Sequence, residues 1–412
     1  MVIDCGASTV KMGWAEESLI NPTRIAPNFV TRGKGAQNKL VAEQIESCRD
    51  YTGIFMKRPY DKGYLLNWQL QKQIWRLPEM YKEIGKKFNP SETNLLLTEP
   101  LFNPDSLRKN MYEVIFEDYG FKSLCNCTSP MLSLYDYQTN HPHVASNPCA
   151  LVIDSGYSFT HVVPFFDNVK LTYAIKRINV GGKLLTNYLK EVVSYRQWNM
   201  TQETYLMNII KEKLCYVPLN FLKDLEITKL KGDKNNIKRR YVLPDNITNT
   251  TGYIKDLEPK PSSYNLLGGN SGPLEEQILT MNSERLIPEV LFNPSDIGID
   301  QAGIAETIVQ SVSSTSPDIH ELLYSNILLT GGNTLFPGFK ERLEIELRQL
   351  VPTEYKINVH LPKDPILTAY RGGSKFAQAA CYSNYALSKE QYEEYGQSEE
   401  RFLLCSTTFN NI

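Results

Sequence analysis

The stretch LVIDSGYSFTHVVP, residues 151 to 164, decides the fold. Three apolar residues give way abruptly to Asp154, Ser155 and Gly156, which is typical of a buried strand that ends in a tight polar turn. From Phe159 onward the residues are again apolar, β-branched or aromatic. A strand, a turn with glycine and a returning strand together predict a β-hairpin.

A similar pattern stands near the start of the chain, in VIDCGASTVK, residues 2 to 11. Here too an apolar pair leads into an aspartate, a turn glycine and a returning strand. Because Asp and Gly are ordinary turn residues, one such hairpin is as readily a plain turn as a binding site. Two of them in one chain predict a duplicated domain.

Two hairpins of this kind suit phosphate binding between two lobes. Outward-pointing N–H groups of a turn form an anion-binding concavity, and glycine lets a phosphate approach closely. Asp4 and Asp154, at the strand ends, would hold a hydrated Mg²⁺, which keeps several waters and takes one or two protein carboxylates. Lys11 would add a positive charge for the phosphates. Each charge-assisted contact would contribute roughly 1.5–3 kcal/mol.

Composition indicates an ordinary soluble globular protein with room for two domains. The 412 residues are 42% hydrophobic and 22% charged, and the formal net charge of -2 gives no global attraction to nucleic acid or an acidic membrane. We expect no membrane span and no secretion signal, because neither a long apolar run nor a charged leader is found. The eight cysteines lack C-x-x-C spacing, which favours reduced thiols inside the cell.

Strand and helix patterns alternate along the rest of the chain, which favours α/β architecture. Asn67 is predicted to cap an amphipathic helix, and Asn103 to cap a helix that begins at Pro104. Tyr241 to Leu243 is the one strand predicted within a polar insertion, residues 229 to 277. A late helix is predicted over residues 375 to 384.

Two glycine pairs stand where a predicted strand leads into a helix. The pair that ends at Gly182 precedes a helix whose positive dipole end would face a ligand, although one such pair is a weak signal. Gly331 and Gly332 follow a buried strand and allow close backbone approach, and Phe336 could stack on a ring.

Two charged features have a plain interpretation. Lys211 and Glu212 are neighbours near the end of a predicted helix, and on pattern alone we favour a solvated charge pair. The insertion 229–277 opens with a basic run and continues rich in Pro, Gly, Ser and Asn, which is usual for binding loops or disorder. A basic run is more often a solvated face than a nucleic-acid contact.

Together these segments resemble the actin family almost end to end. The two hairpins resemble its phosphate loops, and the strand with the later glycine pair resembles its adenosine loop. Five segments follow the family's order: NLLLTEPLFNP (94–104), IDSGYSFTH (153–161), IKEKLCYV (210–217), PEVLFNPSDIGI (288–299) and LLTGGNTLFPG (328–338). The match is strongest to the nuclear actin-related proteins of the sixth class, in which YSFTH, RINVGGKLLTN, VSYRQ, YVLPD and FNPSDIGI stand together.

The resemblance implies an actin-like ATPase fold, α/β, in which two duplicated lobes with four subdomains surround a nucleotide cleft. The first lobe would comprise residues 1–136 and 369–412, and the second residues 137–368. The implied smaller units are subdomain 2 at 30–58 within the first lobe, subdomain 3 at 137–180 and 297–368, and subdomain 4 at 181–296 with the insertion 229–277.

The resemblance also implies ATP as the ligand and Mg²⁺ as its metal. Asp4 and Asp154 would hold the metal through water. The implied nucleotide-binding residues are Asp4, Gly6, Ala7, Ser8, Lys11, Asp154, Gly156, Ser158, Gly182, Lys211, Glu212, Gly331, Gly332, Asn333 and Phe336.

Both phosphate turns depart from the family pattern. Tyr157 and Ser158 stand where actin has Asp and Gly, so one carboxylate is lost and a Cβ is added where the backbone must approach phosphate. Ala7 and Ser8 likewise replace Ser and Gly. These four residues weaken the expectation of nucleotide binding.

The hydrolysis machinery also departs from the family. Ser129 stands where actin has a water-positioning Gln, and its side chain is too short to reach the same water. His161 is kept, although a strand histidine satisfied by a neighbour is an equally good interpretation. Loss of a water-orienting group costs roughly a hundred- to ten-thousandfold in rate. We therefore expect bound ATP, negligible hydrolysis and no catalytic residue.

The class that the chain resembles implies a non-catalytic subunit of a nuclear, Swr-type chromatin-remodelling complex. A separate motor subunit supplies the ATPase that exchanges a histone variant into nucleosomes. The implied partners are the other subunits, nucleosomes or histones through the complex, and possible local DNA, with no membrane. The implied location is the nucleus and also the cytoplasm.

Other functional classes stay open at this stage. A filament-forming cytoskeletal ATPase is disfavoured because residues 31–47 lack an exposed apolar run, and because Asp296 and Asp300 place carboxylates where actin has an apolar inter-strand plug. A sugar kinase of the wider superfamily needs a carboxylate base, and no residue can be given that role. A heat-shock chaperone needs a separate peptide-binding domain, which we do not expect.

Overall fold

The computed structural model describes residues 1–16, 20–32, 39–47, 54–83, 87, 89–142, 146–245, 249, 252–255 and 276–395. The strands are β1 Val2–Cys5, β2 Thr9–Gly13, β3 Arg24–Pro27, β4 Val30–Arg32, β5 Lys39–Val41, β6 Phe55–Lys57, β7 Tyr60–Asp61, β8 Tyr64–Leu65, β9 Asn94–Glu99, β10 Ser123–Thr128, β11 Cys149–Ser155, β12 Thr160–Phe166, β13 Val169–Lys170, β14 Lys176–Ile178, β15 Arg239–Val242, β16 Tyr253–Ile254, β17 Ile278–Met281, β18 Ile327–Thr330, β19 Val359–His360 and β20 Leu387–Ser388.

The α-helices are α1 Trp68–Trp75, α2 Leu77–Glu83, α3 Asp105–Glu113, α4 Ser129–Asn140, α5 Gly182–Arg196, α6 Thr204–Leu214, α7 Phe221–Thr228, α8 Ile304–Ser313, α9 His320–Tyr324, α10 Phe339–Leu350, α11 Thr368–Gln378, α12 Tyr382–Tyr385 and α13 Lys389–Tyr395. A π-helical segment, Val114–Tyr119, continues α3. Short 3-10 helices are Ala42–Ser47, Pro90–Glu92, Thr172–Ala174, Gly232–Lys234, Ser283–Leu291, Pro294–Ile297, Pro317–Ile319 and Gly332–Leu335.

Two large mixed sheets share one topology. The strand order is β20-β10-β9-β1-β2-β3 in the first and β13-β12-β11-β18-β19 in the second, with β14 also paired to β12. In each sheet an antiparallel hairpin, β1–β2 or β11–β12, continues into two parallel strands, β9–β10 or β18–β19. This repeat confirms the predicted duplicated α/β fold, whereas the exact domain boundaries stay a prediction.

The hairpins are equivalent residue by residue at the ends of their strands. Asp4 pairs with Lys11 across β1–β2. At the corresponding place, Asp154 pairs with His161 across β11–β12. The two aspartates predicted from the sequence therefore occupy matching positions in the two sheets.

The turns that follow are also equivalent. In the first, the Gly6 N–H donates to the Thr9 carbonyl at 3.1 Å. In the second, the Gly156 N–H donates to the Phe159 carbonyl at 3.0 Å. We call these the first turn (residues 6–9) and the second turn (residues 156–159).

A hydrophobic core lies between the two sheets. Val2 and Leu96 of the first sheet and Val152 and Leu328 of the second belong to one buried cluster with Tyr370 of α11. Further cores are formed within each lobe. Strands covered on both faces carry continuous apolar runs, which is why β9, β11 and β18 are so apolar.

Helices α4 and α11 pack unusually closely between the sheets, and Gly372 makes this possible. A Cβ at Gly372 would lie 1.8 Å from the Leu132 carbonyl oxygen, so only glycine fits there. The predicted helix over 375–384 is wrong in its bounds, because α11 spans Thr368–Gln378 and the separate short helix α12 spans Tyr382–Tyr385.

The predicted caps have different outcomes. Asn67 caps α1, and its side chain accepts the Leu70 N–H, so that prediction is confirmed. The Asn103 cap is wrong, because Pro104 is the N-cap with extended backbone and α3 begins at Asp105. Pro104 has an extended ψ of 142°, so it cannot be the first helical residue, and its carbonyl accepts the first hydrogen bond of the helix, from the Arg108 N–H.

The polar insertion contains more strand than predicted. The Tyr241 strand runs from Arg239 to Val242 and lies between β16 and β17 in a three-stranded sheet. Several predicted segments lie partly outside the described residues: 256–275 of the insertion, 33–38 of the segment 31–47, and 396–412 of the first lobe.

Membrane and thiol predictions can be compared with the described part of the chain. There, no helix is both long and apolar enough to cross a bilayer. The cysteines in that part of the chain form no disulfide bond; they are Cys5, Cys125, Cys127, Cys149, Cys215 and Cys381.

Candidate functional site

In the first hairpin, Asp4 and Lys11 form a buried ion pair. The Lys11 Nζ lies 2.9 Å from Asp4 Oδ2, and the two residues are 7% and 4% exposed. Thr98 at the end of β9 donates its hydroxyl to the other oxygen, Oδ1, at 3.0 Å. Thr98 Oγ1 in turn accepts the Cys5 N–H, which fixes the hydroxyl in place. The Asp4 carboxylate is therefore held by Lys11 of β2 and by Thr98 of β9.

In the second hairpin, the Asp154 carboxylate has a different environment. Burial raises the pKa of Asp154 to about 6, the negative charge of Asp4 adds to the rise, and Lys11 opposes it. No described residue donates a hydrogen bond to this carboxylate. One cavity is lined by Ala7 of the first turn and by Tyr157 and Ser158 of the second, so the two hairpins face each other across the cleft.

His161 lies opposite Asp154 and is neutral. It is 8% exposed, and burial together with the nearby positive charge of Arg177 lowers its pKa to about 3. Its Nε2 atom is buried and has no hydrogen-bond partner. The interpretation of His161 as a strand histidine satisfied by a neighbour is therefore wrong for this nitrogen.

The glycine pair after β18 packs against the end of β11. Gly331 has φ +90°, and a Cβ there would lie 2.3 Å from the Ser155 carbonyl oxygen, so glycine is required. Asn333 donates its Nδ2 to the Gly156 carbonyl at 2.8 Å and to Ser155 Oγ at 3.2 Å. These bonds fix the second turn to the loop that follows β18.

The remaining part of that loop splits its apolar residues between core and surface. Phe336 is 7% exposed and belongs to the second lobe's core. Leu335 beside it is 48% exposed. A Cβ built on Gly332 would meet only the Ile366 side chain among the described residues, at 3.8 Å, so there is room beside this glycine for close approach of a ligand.

Lys211 is buried rather than solvated, so the charge-pair interpretation is wrong for this residue. It is 3% exposed, and its Nζ contacts the Gly182 carbonyl at 3.1 Å, Thr186 Oγ1 at 3.0 Å and Asn208 Oδ1 at 3.0 Å. Burial lowers the pKa of Lys211. Glu212 is exposed and accepts a hydrogen bond from Asn208 at 2.8 Å.

Several predicted site residues meet at Gly182, the first residue of α5. A Cβ at Gly182 would lie 3.3 Å from Asn333 Oδ1, 3.5 Å from Lys211 Nζ and 3.5 Å from the Tyr157 ring. The structure therefore brings the second turn, the start of α5, the end of α6 and the loop after β18 together. Ser129, the first residue of α4, is half-buried.

The sequence-based prediction missed Arg58, which contacts both turns. Its Nη1 donates to the Ala7 carbonyl at 3.0 Å and lies 3.5 Å from the Ser8 carbonyl oxygen. Its guanidinium carbon lies 4.5 Å from the centre of the Tyr157 ring. A single arginine between two short strands has no periodic signal that would have identified it.

The short hairpin β7–β8 joins the lobes beside the turns. Tyr60 donates its hydroxyl to the Cys5 carbonyl at 2.8 Å, and Arg177 donates to the Tyr64 hydroxyl at 3.2 Å. Gly63, with φ +79°, lies so close to the Phe159 ring that a Cβ would be 2.3 Å from it. A cavity of about 1000 Å³ opens here, and residues of both turns line it.

The polar groups of the cleft fit a phosphate ligand with a hydrated metal. The described residues contain no group of three or more His, Cys, Asp or Glu able to hold a metal alone. Asp4 and Asp154 offer two carboxylates, which is enough for Mg²⁺ that keeps its waters and shares phosphate oxygens. The unpartnered Nε2 of His161 and the open Asp154 carboxylate are groups that such a ligand would satisfy.

Comparison with known proteins gives a consistent result. The family model described as Actin matches residues 1–402. The chain is 41% identical to Actin-related protein 6 of Dictyostelium discoideum, with 96% of this chain and 92% of the relative covered. It is 38% identical to Actin-related protein 6 of Arabidopsis thaliana, with 97% and 98% covered. It is 37% identical to Actin-related protein 6 of Neurospora crassa, with 96% and 92% covered.

Proposed function

The chain belongs to the actin family, and from that premise we propose that it is a non-catalytic subunit of a nuclear chromatin-remodelling complex. In this proposal the complex exchanges a histone variant into nucleosomes, and a separate motor subunit hydrolyses the ATP that drives exchange. The chain itself binds Mg²⁺-ATP as part of its structure. The relatives named Actin-related protein 6 support the class, and the cleft supports the nucleotide.

The observation that carries nucleotide binding is the face-to-face arrangement of two equivalent turns. Residues of both turns line one cavity, and Arg58 donates to the Ala7 carbonyl of the first turn at 3.0 Å while its guanidinium carbon lies 4.5 Å from the Tyr157 ring centre in the second. The turn N–H groups would bind the phosphate oxygens, Lys11 would lie beside their negative charge, and Asp4 and Asp154 would orient the waters of Mg²⁺. The loop after β18 and the end of α6 would hold the nucleoside. Bound Mg²⁺ would neutralise part of the phosphate charge.

Two features support negligible hydrolysis. Ser129 is too short to position water where actin uses Gln. A histidine whose pKa is about 3, as for His161, holds a proton too weakly to accept one efficiently from water at neutral pH. The bound nucleotide therefore shapes the cleft and is not consumed.

Exposed charge supports a monomer held by partners and disfavours the alternative, a filament-forming cytoskeletal ATPase. Asp296 and Asp300 are both exposed, in the segment that resembles actin's inter-strand plug. Burying two carboxylates in a filament interface would cost desolvation without a paired cation. Sedimentation under actin-assembly conditions is expected to leave the chain in the supernatant, and pelleted filaments would favour the alternative.

The basic run of the insertion supports a local contact with DNA or with an acidic partner. Its exposed residues are Lys229, Lys231, Lys234, Lys238 and Arg240. Phosphate contacts by such residues would make binding salt-dependent. In the same proposal, contacts with nucleosomes or histones are made through the other subunits of the complex.

The experiment that tests the assignment is affinity purification of the tagged chain from nuclei, followed by mass spectrometry. We expect a remodelling motor subunit and a histone variant in near-stoichiometric amount. The same sample, assayed for histone exchange with and without this chain, is expected to lose exchange when the chain is depleted. Recovery of cytoskeletal filament proteins with no motor subunit would contradict the proposal.

A further inference from the structure

Arg58, between β6 and β7, projects its guanidinium into the space between the two turns. Besides the Ala7 and Ser8 carbonyl groups, its Nη1 lies 3.5 Å from the Asn28 carbonyl oxygen. The guanidinium carbon lies 4.5 Å from the ring centre of Tyr157 and 4.9 Å from that of Phe29. Two aromatic rings, one from each lobe, thus fix its position.

No carboxylate compensates the charge of Arg58 among the described residues. Its partners are main-chain carbonyl oxygens and the aromatic residues Phe29 and Tyr157. Lys11, by contrast, has Asp4 at 2.9 Å. Arg58 is half-buried, and a cation withdrawn from water without an anion is costly, so an anion from outside the chain would stabilise this arrangement.

A second cation without a hydrogen-bonded carboxylate lies close by. Lys211 contacts only neutral oxygen atoms. Burial lowers its pKa, the negative charge of Glu212 opposes this, and the positive charge of Arg58 adds to the lowering. Burial likewise lowers the pKa of Arg58 itself. The buried Lys211 and the half-buried Arg58 lie on either side of the second turn, and their mutual repulsion indicates a place for negative charge between them.

The guanidinium also has donors to spare. A guanidinium carries five N–H donors in a planar fork. The hydrogen bonds from Arg58 to carbonyl oxygens all run from Nη1, and among the described residues Tyr157 is the side chain that hydrogen-bonds the guanidinium. At least two of the three N–H groups on Nε and Nη2 therefore remain for a ligand. That edge of the fork matches two oxygens of one phosphate.

We infer that Arg58 is a phosphate ligand of the cleft, binding the phosphate chain of the nucleotide from the side of the first lobe. This inference rests on the proposed nucleotide binding and deepens it. A guanidinium contact would compensate for the Cβ atoms that Ser8 and Ser158 add to the turns. It would also link both lobes to the same phosphate, since Arg58 already contacts both turns.

The test is calorimetric titration of the full chain with Mg²⁺-ATP, Mg²⁺-ADP and adenosine. Arg58→Ala is expected to weaken ATP and ADP binding by about tenfold to a hundredfold, the loss of a charge-assisted contact, and to leave adenosine unchanged. Arg58→Lys, which keeps the charge without the fork, is expected to lose about three- to tenfold for ATP.

Arg285 supplies a matched control. Its guanidinium carbon lies 4.9 Å from the ring centre of Tyr216, and it donates to the Leu214 and Ile237 carbonyl groups. Arg285→Ala therefore removes the same kinds of contact outside the turns. Because Arg285 contacts the end of α6, which would hold the nucleoside, the ratio of ATP affinity to adenosine affinity is the quantity expected to stay within about twofold of the wild type. Thermal melting of each variant shows whether it is folded, and Arg58→Lys carries the test if Arg58→Ala does not fold.

The outcomes separate this inference from the proposed function. If the wild-type chain binds no nucleotide, the proposed function fails. If the wild type binds ATP but Arg58→Ala binds it equally well or more tightly, the inference fails while the proposed function stands. Equal losses for ATP and adenosine would also overturn the inference, because Arg58 would then act only by holding the lobes together.

Discussion

Position by position, the first and second hairpins place different side chains opposite their aspartates. Asp4 lies opposite Lys11, and the two form an ion pair at 2.9 Å. Asp154 lies opposite His161, which is neutral because burial lowers its pKa to about 3. The first carboxylate is therefore neutralised within its own hairpin, whereas the second is not.

This difference assigns separate roles to two copies of one structural unit. The first hairpin satisfies its buried charge with residues of its own sheet, so its shape does not depend on a ligand. The second hairpin keeps an open carboxylate and a ring nitrogen without a partner, which a metal and phosphate would satisfy. The geometry is the same in both hairpins, and the residue opposite the aspartate makes the second hairpin the one expected to respond to a ligand.

The largest effect is expected from Lys11→Met. The variant leaves Asp4 buried without its cation, which costs about 3–5 kcal/mol of unfolding free energy. Urea unfolding measures the loss. Lys72→Met, which breaks the exposed pair with Asp118, is the control and should cost at most about 1 kcal/mol. Equal losses of unfolding free energy for the two variants would contradict the view that Lys11 neutralises the buried charge of Asp4 within the first hairpin.

Asp154→Asn is expected to stabilise the fold, whereas Lys11→Met destabilises it. In the folded chain the pKa of Asp154 is about 6, whereas an unfolded aspartate has a pKa of about 3.9. Between those values the folded state holds more protons, so stability falls as pH rises from about 4 to about 6. Without nucleotide and with metal chelated, the variant should be about 2 kcal/mol more stable than wild type at pH 7.

The same comparison at pH 4 is the control for Asp154→Asn, because the wild-type carboxyl is then protonated in the folded state. The difference in stability between variant and wild type should nearly disappear there. A variant less stable than wild type at pH 7 would show that the ionised carboxylate is already satisfied by the protein.

His161→Gln should change how the free energy of unfolding depends on pH below about 6.5. The folded pKa is about 3, and an unfolded histidine has a pKa of about 6.5. As pH falls below about 6.5 only the unfolded state takes up the proton, so stability is lost down to about pH 3. The variant should lack this loss, a difference of about 2 kcal/mol between pH 7 and pH 5. Parallel profiles for variant and wild type would mean that His161 is not buried neutral.

Ser158→Gly should have the smallest effect and sharpens the comparison at the turns. Removing the Cβ lets phosphate approach the second turn, so ATP affinity is expected to rise by about threefold to tenfold. Calorimetry measures the change. Ser295→Gly, at an exposed position outside the turns, is the control. Unchanged or weaker ATP binding by Ser158→Gly would show that the serine does not hinder the ligand.

Local pattern accounts for what the sequence predicted well. The hairpins were evident because an apolar run followed by Asp, a small residue and Gly specifies strand and turn within a few residues. Asp4 and Asp154 could be placed at strand ends for the same reason. The charge environment of Asp4 could not be predicted in this way, because it depends on contacts with Thr98 and Lys11 of neighbouring strands.

The missed features all depend on contacts between distant segments. Arg58 lies about fifty residues from the first turn and about a hundred from Tyr157 in the chain, and only tertiary packing joins them. Lys211 was predicted to be solvated because charged residues follow it on the helix. In the structure its side chain instead points to the Gly182 carbonyl and donates a hydrogen bond to it. The early start of α11 reflects Gly372 against α4, a packing requirement that a glycine pair alone does not reveal.

The most direct test of the central claim, that the two turns hold a nucleotide without consuming it, is the identity of the bound nucleotide. The full chain is incubated with Mg²⁺-ATP, desalted, denatured, and its released nucleotide separated by chromatography. We predict intact ATP at close to one per chain after prolonged incubation. Recovery of ADP, or of no nucleotide, would contradict the account.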